Sequence, residues 1–583
     1  MKRRLLPILM TLVLVCALPI WAAFVTSGDV TNPLVCTAWA DTAEGERNSG
    51  TTQETFTEVT DETTLKKAVE DGKSVRMTQD ITLTSSLYIE KAVTLDLNGH
   101  VLTRKNTDRY DIVIIQSGAT LTLIDSNTGN LQHKFNAGEG GWTKAADDAT
   151  GEGIVTVTGG VIYGDAGSSI DTRGIKILDG KLEMYGGNIA GIGNGYTHAY
   201  GGGVYVSDKC TFNMYGGSIK GCYVFSDGGG VYVAENGTFT MRGSSAITNC
   251  KGSKGGAVYN AGTFTMRDNS HIADCIYISS IASGGGVHNK GTFTVEGGSI
   301  TGSVNDYNRE QSSDDICNEN KLDVSEGVTI SCNVNVGHGG TISKGTFTGR
   351  VWIFWEGTIL DGTFTNEVIN YEGRIKAGEF TGKIENSYGK IDGGTFRGSV
   401  TSSGYNAIIS DGNFHGTVTN ESGATISGGT FDKNVTNKTY ATLNGGIFYG
   451  GVTNDGGKIE DGAYETVKFN SDNGAQAKEE KVLRGQKVAK PTDDPTKSGY
   501  TFIGWEDADG AYDFSKSVIA PLTLTAKWEK NPSSGGYYYY PTTDTKTDDT
   551  KGSPKTADPG VALYAALSLL SLTGMVALNG KKR

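Results

Sequence analysis

Basic residues are in short supply: 52 Lys and Arg stand against 65 Asp and Glu, for a net charge of −13. That balance excludes binding driven by phosphate neutralisation, so neither nucleic acid nor an anionic lipid surface is an expected partner. Cysteine is sparse, eight in 583 residues, and no Cys-x-x-Cys pair occurs. The common structural zinc motifs are thereby absent, and neither a metal site nor a cofactor is expected. Long apolar runs occur only near the two ends. Acidic residues are scattered, without a cluster of calcium ligands beside an Arg or Lys base.

What the chain does have is repetition. Between residues 201 and 339 a unit of about 27 residues returns five times, opening at Gly201–Val206, Gly228–Val233, Gly255–Asn260, Gly284–Asn289 and Ser313–Asn318. Repeats of this length mark stacked solenoids, whose single units cannot bury their own apolar faces. Aligned, the copies give columns: Val204, Val231, Val258, Val287 and Ile316; then Phe212, Phe239, Phe264, Phe293 and Leu322; then Ile219, Ile247, Ile272, Ile300 and Ile330. Phe-x-Met and Val-x-Val put both apolar residues on one side of a strand. Each coil therefore offers three short strands joined by Gly-rich or polar turns, and like strands stack in parallel. The expected fold is all-β: a long parallel β-helix, right-handed for coils of this length. Tyr205, Tyr232 and Tyr259 follow the first column and point outward, as a candidate glycan contact or as an aromatic ladder under a turn. Cys222, Cys250 and Cys275 each lie three residues past the isoleucine column. Stacked on adjacent coils, they could form a thiol ladder or one structural disulfide.

Residues 1–40 read as a secretory signal: Lys2, Arg3 and Arg4, an apolar stretch, and Ala38-Trp39-Ala40 as a cleavage pattern. A polar leader occupies 41–60. Asp61 is the expected N-cap of a short amphipathic helix with Leu65, Ala68 and Val69 on one face, stopped at Asp71-Gly72. The following alternating stretch contains Thr94–His100, TLDLNGH, and here the chain resembles the pectate-lyase-like β-helix families, which begin with such a cap. Residues 61–340 are read as cap and long coils, with 104–200 as less regular ones. From 341 to 463 the period shortens to about 17 residues, marked by Phe347, Phe364, Phe380, Phe396, Phe414, Phe431 and Phe448. Some 17 coils at roughly 4.8 Å each give a rod on the order of 80 Å.

Residues 464–529 change character. Val467, Phe469, Gly485, Pro491, Gly499, Tyr500, Phe502, Gly504, Trp505, Tyr512, Phe514, Leu522 and Trp528 resemble the internalin B-type, or Listeria–Bacteroides, repeat. The resemblance implies a small β-grasp-like module that serves as an extracellular spacer or interaction domain. Residues 530–552 form a polar linker, expected to be disordered. The tail 553–583 joins Ser553, Pro554, Lys555, Thr556 and Ala557 to an apolar run at 561–578 and a basic end. It resembles a Gram-positive sortase sorting signal of the LPXTG type, with Ser for Leu and Ala for Gly. The resemblance implies transmembrane retention by 561–578, cleavage after Thr556 by a sortase, and linkage to cell-wall peptidoglycan. If the tail is not cut, the protein stays in the membrane.

Asn106-Thr107-Asp108, Asp314-Asp315, Gly337-His338-Gly339 and Arg374-Ile375-Lys376 imitate the motifs of polygalacturonase-like glycosidases, where aspartates act as acid and base. Some 200 residues separate the first two, which in that family lie about one coil apart, so no catalytic residue is assigned. The expectation is a monomeric wall-anchored surface protein, not an enzyme, whose rod contacts a host or microbial glycan or a protein ligand. A β-helical polysaccharide hydrolase or lyase and a passive stalk are the alternatives.

Overall fold

The computed structural model describes residues 55–532, apart from 106–110, 128, 130, 139–140, 165–172, 195–199, 280–282 and 306–314. The expected signal, the sorting residues Ser553–Ala557, the apolar run 561–578 and most of the linker lie outside the described residues. Among the described residues no helix is long and apolar enough to cross a membrane. By contacts the chain divides into 1–496 with 502–527, and 497–501 with 528–583; the solenoid belongs to the first unit.

No proline stands between Pro33 and Pro491, so every coil amide can donate to a neighbouring coil. The result is a parallel β-solenoid. One sheet of 16 strands runs its whole length, from Leu87–Ile89 to Val452–Asp455. The coil columns stack in register as the sequence predicts. Val204 pairs with Val231, Phe212 with Phe239, and Ile219 with Ile247. Val204, Phe212, Met214 and Ile219 are fully buried. Phe212, Phe239, Phe264 and Phe293 stack face to face, with centroids 4.7–4.9 Å apart. Glycines at the coil start permit this closeness: a Cβ on Gly203 would lie 2.6 Å from Ile219 Cγ2 and 2.7 Å from the Gly230 carbonyl oxygen.

Three details differ from the sequence reading. Five consecutive long coils add a fourth strand of two residues, such as Tyr223–Val224, in a five-stranded sheet. The isoleucine column stops at Ile300, because Thr329–Ile330 begins a separate eight-stranded sheet that carries the short coils. Within 104–200, the strands Gln132–Gly138, Gly141–Lys144 and Ile154–Thr158 leave the coil as an antiparallel sheet. Trp142 and Phe135 bury against Tyr163 there, which offsets the cost of a loop that does not stack. In the short coils the seven phenylalanines stack at 4.7–5.1 Å on the new sheet. The cysteine column is a ladder of buried thiols, and no disulfide forms among the described residues. Burial drives the Cys222 and Cys275 thiols well above their ordinary range.

Both solenoid ends are covered, as exposed parallel edges require. At the start, the helix Glu62–Glu70 buries Leu65, Ala68 and Val69, and Asp61 caps it by accepting from the Thr64 amide at 2.9 Å. Glu62 pairs with Lys66 within the helix at 2.6 Å and ties the helix to the turn at Thr84 by accepting from the Thr84 amide at 3.0 Å. Partial burial pushes the Glu62 carboxyl up, but Lys66 and Thr84 outweigh it and hold it at about 2. A carboxyl held below its ordinary 4.5 stabilises the fold above that pH and loses its contribution as pH falls toward about 2. We expect hydrogen-exchange protection factors in residues 55–105 to fall over that window. In Glu62→Gln the fall should be smaller and the helix weaker already at pH 7; an unchanged acid profile in the variant would refute the assignment.

At the other end, a five-stranded mixed sheet follows the last coil, with Tyr464–Asn470 parallel to Leu522–Lys530 and antiparallel to Lys478–Leu483. The Phe448 amide donates to the Arg484 carbonyl at 2.8 Å, and the Arg484 amide donates to Ala463 O at 3.0 Å. Tyr464 and Leu483 pack on the solenoid core. The module thus closes the stack as well as extending the chain.

Candidate functional site

In the 16-stranded sheet, valines point inward and every second residue points out. Tyr205, Tyr232 and Tyr259 occupy one such outward column, as the alternation predicts. Their rings stack almost parallel, with centroids 5.2 and 5.0 Å apart, and His288 continues the stack at 5.3 Å. Tyr200 leans on Tyr232 at 4.9 Å, and the Arg173 guanidinium lies 5.3 Å from the Tyr205 ring. Burial, reinforced by Tyr205 and Tyr200, pushes the Tyr232 hydroxyl up to about 12. Tyr259 is only 9% exposed. The stack occupies the ring faces that a sugar would need, so this column offers edges and hydroxyls.

A second aromatic row escaped the sequence reading. It follows the strands of the same sheet through the short coils. Tyr371 is the last residue of its strand, and Trp355, Tyr388, Tyr405 and Tyr440 follow the ends of theirs, with Ser422 in the turn between the last two. Tyr405 and Tyr440 are 80% and 77% exposed. Tyr388 lies over Gly404, where a Cβ would come within 2.6 Å of its ring. Tyr405 covers Gly423 in the same way. Both glycines have strongly positive φ (96° and 92°), a backbone that other residues rarely adopt. One face of each ring rests on the next coil. Outward side chains beside the row include Ser387, Ser403, Thr419 and Glu421, all hydrogen-bonding groups. The signal was legible as an aromatic near most of the turns, but its position drifts by a residue from coil to coil.

A third feature lies where the tyrosine column ends. His288 pairs in register with Cys317 on the next strand, and Glu319 is two residues farther along the same face. The three ligand-type atoms lie within 4.8 Å of one another. His288 and Cys317 are buried, and the His288 Nε2 is 3.5 Å from Glu319 Oε1. Burial pushes the His288 imidazole down to about 4 against the pull of Glu319. A cavity of about 220 Å³ opens beside the cluster, lined by Lys254, Ser283, Cys317, Glu319, His338, Phe354 and Trp355.

Among the described residues the glycosidase-like strings do not converge. Asn106-Thr107-Asp108 and Asp314 lie outside the described residues. Asp315 is a buried staple: its two oxygens accept from the Ser303 and Asn333 amides at 3.0 and 3.1 Å. Burial pushes its carboxyl up. Arg374 is ion-paired to Asp392 on a different sheet from the one that Asp315 adjoins.

Residues 466–527 match the model of the Listeria-Bacteroides repeat domain. No curated protein and no solved structure matches the chain.

Proposed function

We propose that this is a surface-displayed β-solenoid whose short coils hold a glycan, exported through residues 1–40 and attached to the cell wall through Thr556. The observation that carries the reading is the exposed aromatic row. The apolar C–H face of a sugar ring packs on an aromatic face, and hydroxyls beside it need hydrogen-bonding neighbours. Coils recur at about 4.8 Å, so rings spread along several of them favour an extended polymer over a single sugar. The acidic chain favours a neutral or basic glycan over a polyanion. The repeat module and the solenoid are compatible with a protein built for display. The role assigned here is binding, without catalysis.

A glycan-array screen of residues 41–530, with reducing ends assayed on every hit, tests this. We expect saturable binding and no new reducing ends. Tyr405→Ala and Tyr440→Ala should each weaken binding about tenfold, the scale of an aromatic hot spot. Tyr232→Phe should bind as the parent does, since its ring face is already stacked. Binding unaffected by both alanine variants would remove the aromatic row as the site. Release of new reducing ends would replace binding with hydrolysis.

A further inference from the structure

We propose that His288, Cys317 and Glu319 form a binding site for a zinc-class transition metal, with its open coordination position facing the cavity beside Trp355. Three observations converge. The side chains sit on adjacent strands of one sheet face, fixed by the coil register rather than by a mobile loop. Their ligand-type atoms are within 4.8 Å of one another, so small side-chain rotations bring all three to one ion. The His288 side chain is 1% exposed, yet neither ring nitrogen makes a well-formed hydrogen bond. A buried imidazole without such a bond carries a desolvation cost that a metal–nitrogen bond would offset.

The donor set selects the ion. Thiolate and imidazole favour zinc-class metals over calcium or magnesium, which prefer all-oxygen sites. Three protein ligands leave one position vacant in a tetrahedral ion. His338 lines the same cavity, with its ring 4.8 Å from that of Trp355. Binding takes the proton from Cys317 Sγ and releases it to solvent, leaving a thiolate on the metal. Thiolate and carboxylate together neutralise a dication. Lys290, 3.2 Å from Glu319, and Lys254 on the cavity wall oppose the ion, so the carboxylate must trade part of its ion pair for the metal.

Cobalt(II) reports this chemistry by colour. The full-length chain, purified under reducing conditions, is titrated with cobalt(II) and then with zinc. We expect one equivalent to give tetrahedral d–d bands with thiolate-to-cobalt charge transfer, bleached by zinc. Cys317→Ser should lose the charge-transfer band, and His288→Gln and Glu319→Gln should each weaken binding. Glu319 is partly exposed, so its variant should fold even if the others do not. Absence of the charge-transfer band in the parent, or its persistence in Cys317→Ser, would overturn the proposal. So would affinity unchanged in Glu319→Gln.

Discussion

Phe396→Ala should destabilise the short coils by about 3–5 kcal/mol, the cost of truncating a fully buried aromatic. Phe396 is completely buried between Phe380 and Phe414, with centroids at 4.8 and 4.7 Å. Its removal breaks two stacking contacts and leaves a cavity that the coils cannot close, because strand hydrogen bonds above and below hold their spacing. Solenoid stability is close to a sum of coil and nearest-neighbour terms. The damage should therefore be local. Hydrogen exchange should accelerate around 380–414 while residues 204–260 keep their protection, and urea unfolding should start at a lower concentration. Uniform loss of protection along the solenoid would show that the stack unfolds as one cooperative unit instead.

Asn289→Ala should cost about 3 kcal/mol, although it deletes only an amide. Asn260, Asn289 and Asn318 stack at an inward position with no solvent exposure. The Asn289 Nδ2 donates to Asn318 Oδ1 at 2.7 Å and to the Lys321 carbonyl at 2.9 Å, and its Oδ1 accepts from Asn260 Nδ2 at 2.8 Å. Alanine removes a partner from the buried Asn318 Oδ1, from the part-buried Lys321 carbonyl and from Asn260 Nδ2, which keeps the Thr292 carbonyl at 3.0 Å; a buried group left orphaned costs about 1–3 kcal/mol. Asn454, which ends the corresponding ladder of the short coils in an exposed position, is the control. Asn454→Ala should cost well under about 1 kcal/mol, because water replaces the lost bonds. Equal costs at the two sites, measured by urea unfolding, would mean that burial does not set the value of the ladder. A solenoid that frays between coils loses the spacing of its aromatic row, so the proposed glycan binding depends on these ladders.

Much of this architecture was legible in the chain itself. Repeat length, the Val, Phe and Ile columns and their inward direction follow from alternation of side chains along a strand. Asp61 and the Leu65, Ala68 and Val69 face announced the cap helix for the same local reason. The phenylalanines of the short coils announced their own stack. Tertiary structure decided what alternation cannot. Asn260, Asn289 and Asn318 stand where Val206 and Val233 stand in earlier coils. An amide is tolerable at that inward position only because its equivalent one coil away supplies the hydrogen bond. His288 points outward by alternation, yet it is buried. Whether an outward column meets water depends on the turns folded over it, which vary in length from coil to coil. The row from Trp355 to Tyr440 belongs to one edge only after stacking places those turns one above another. Local periodicity thus determined which side of each strand faces the core. Register between coils determined which side chains meet, and therefore where a glycan or a metal could be held.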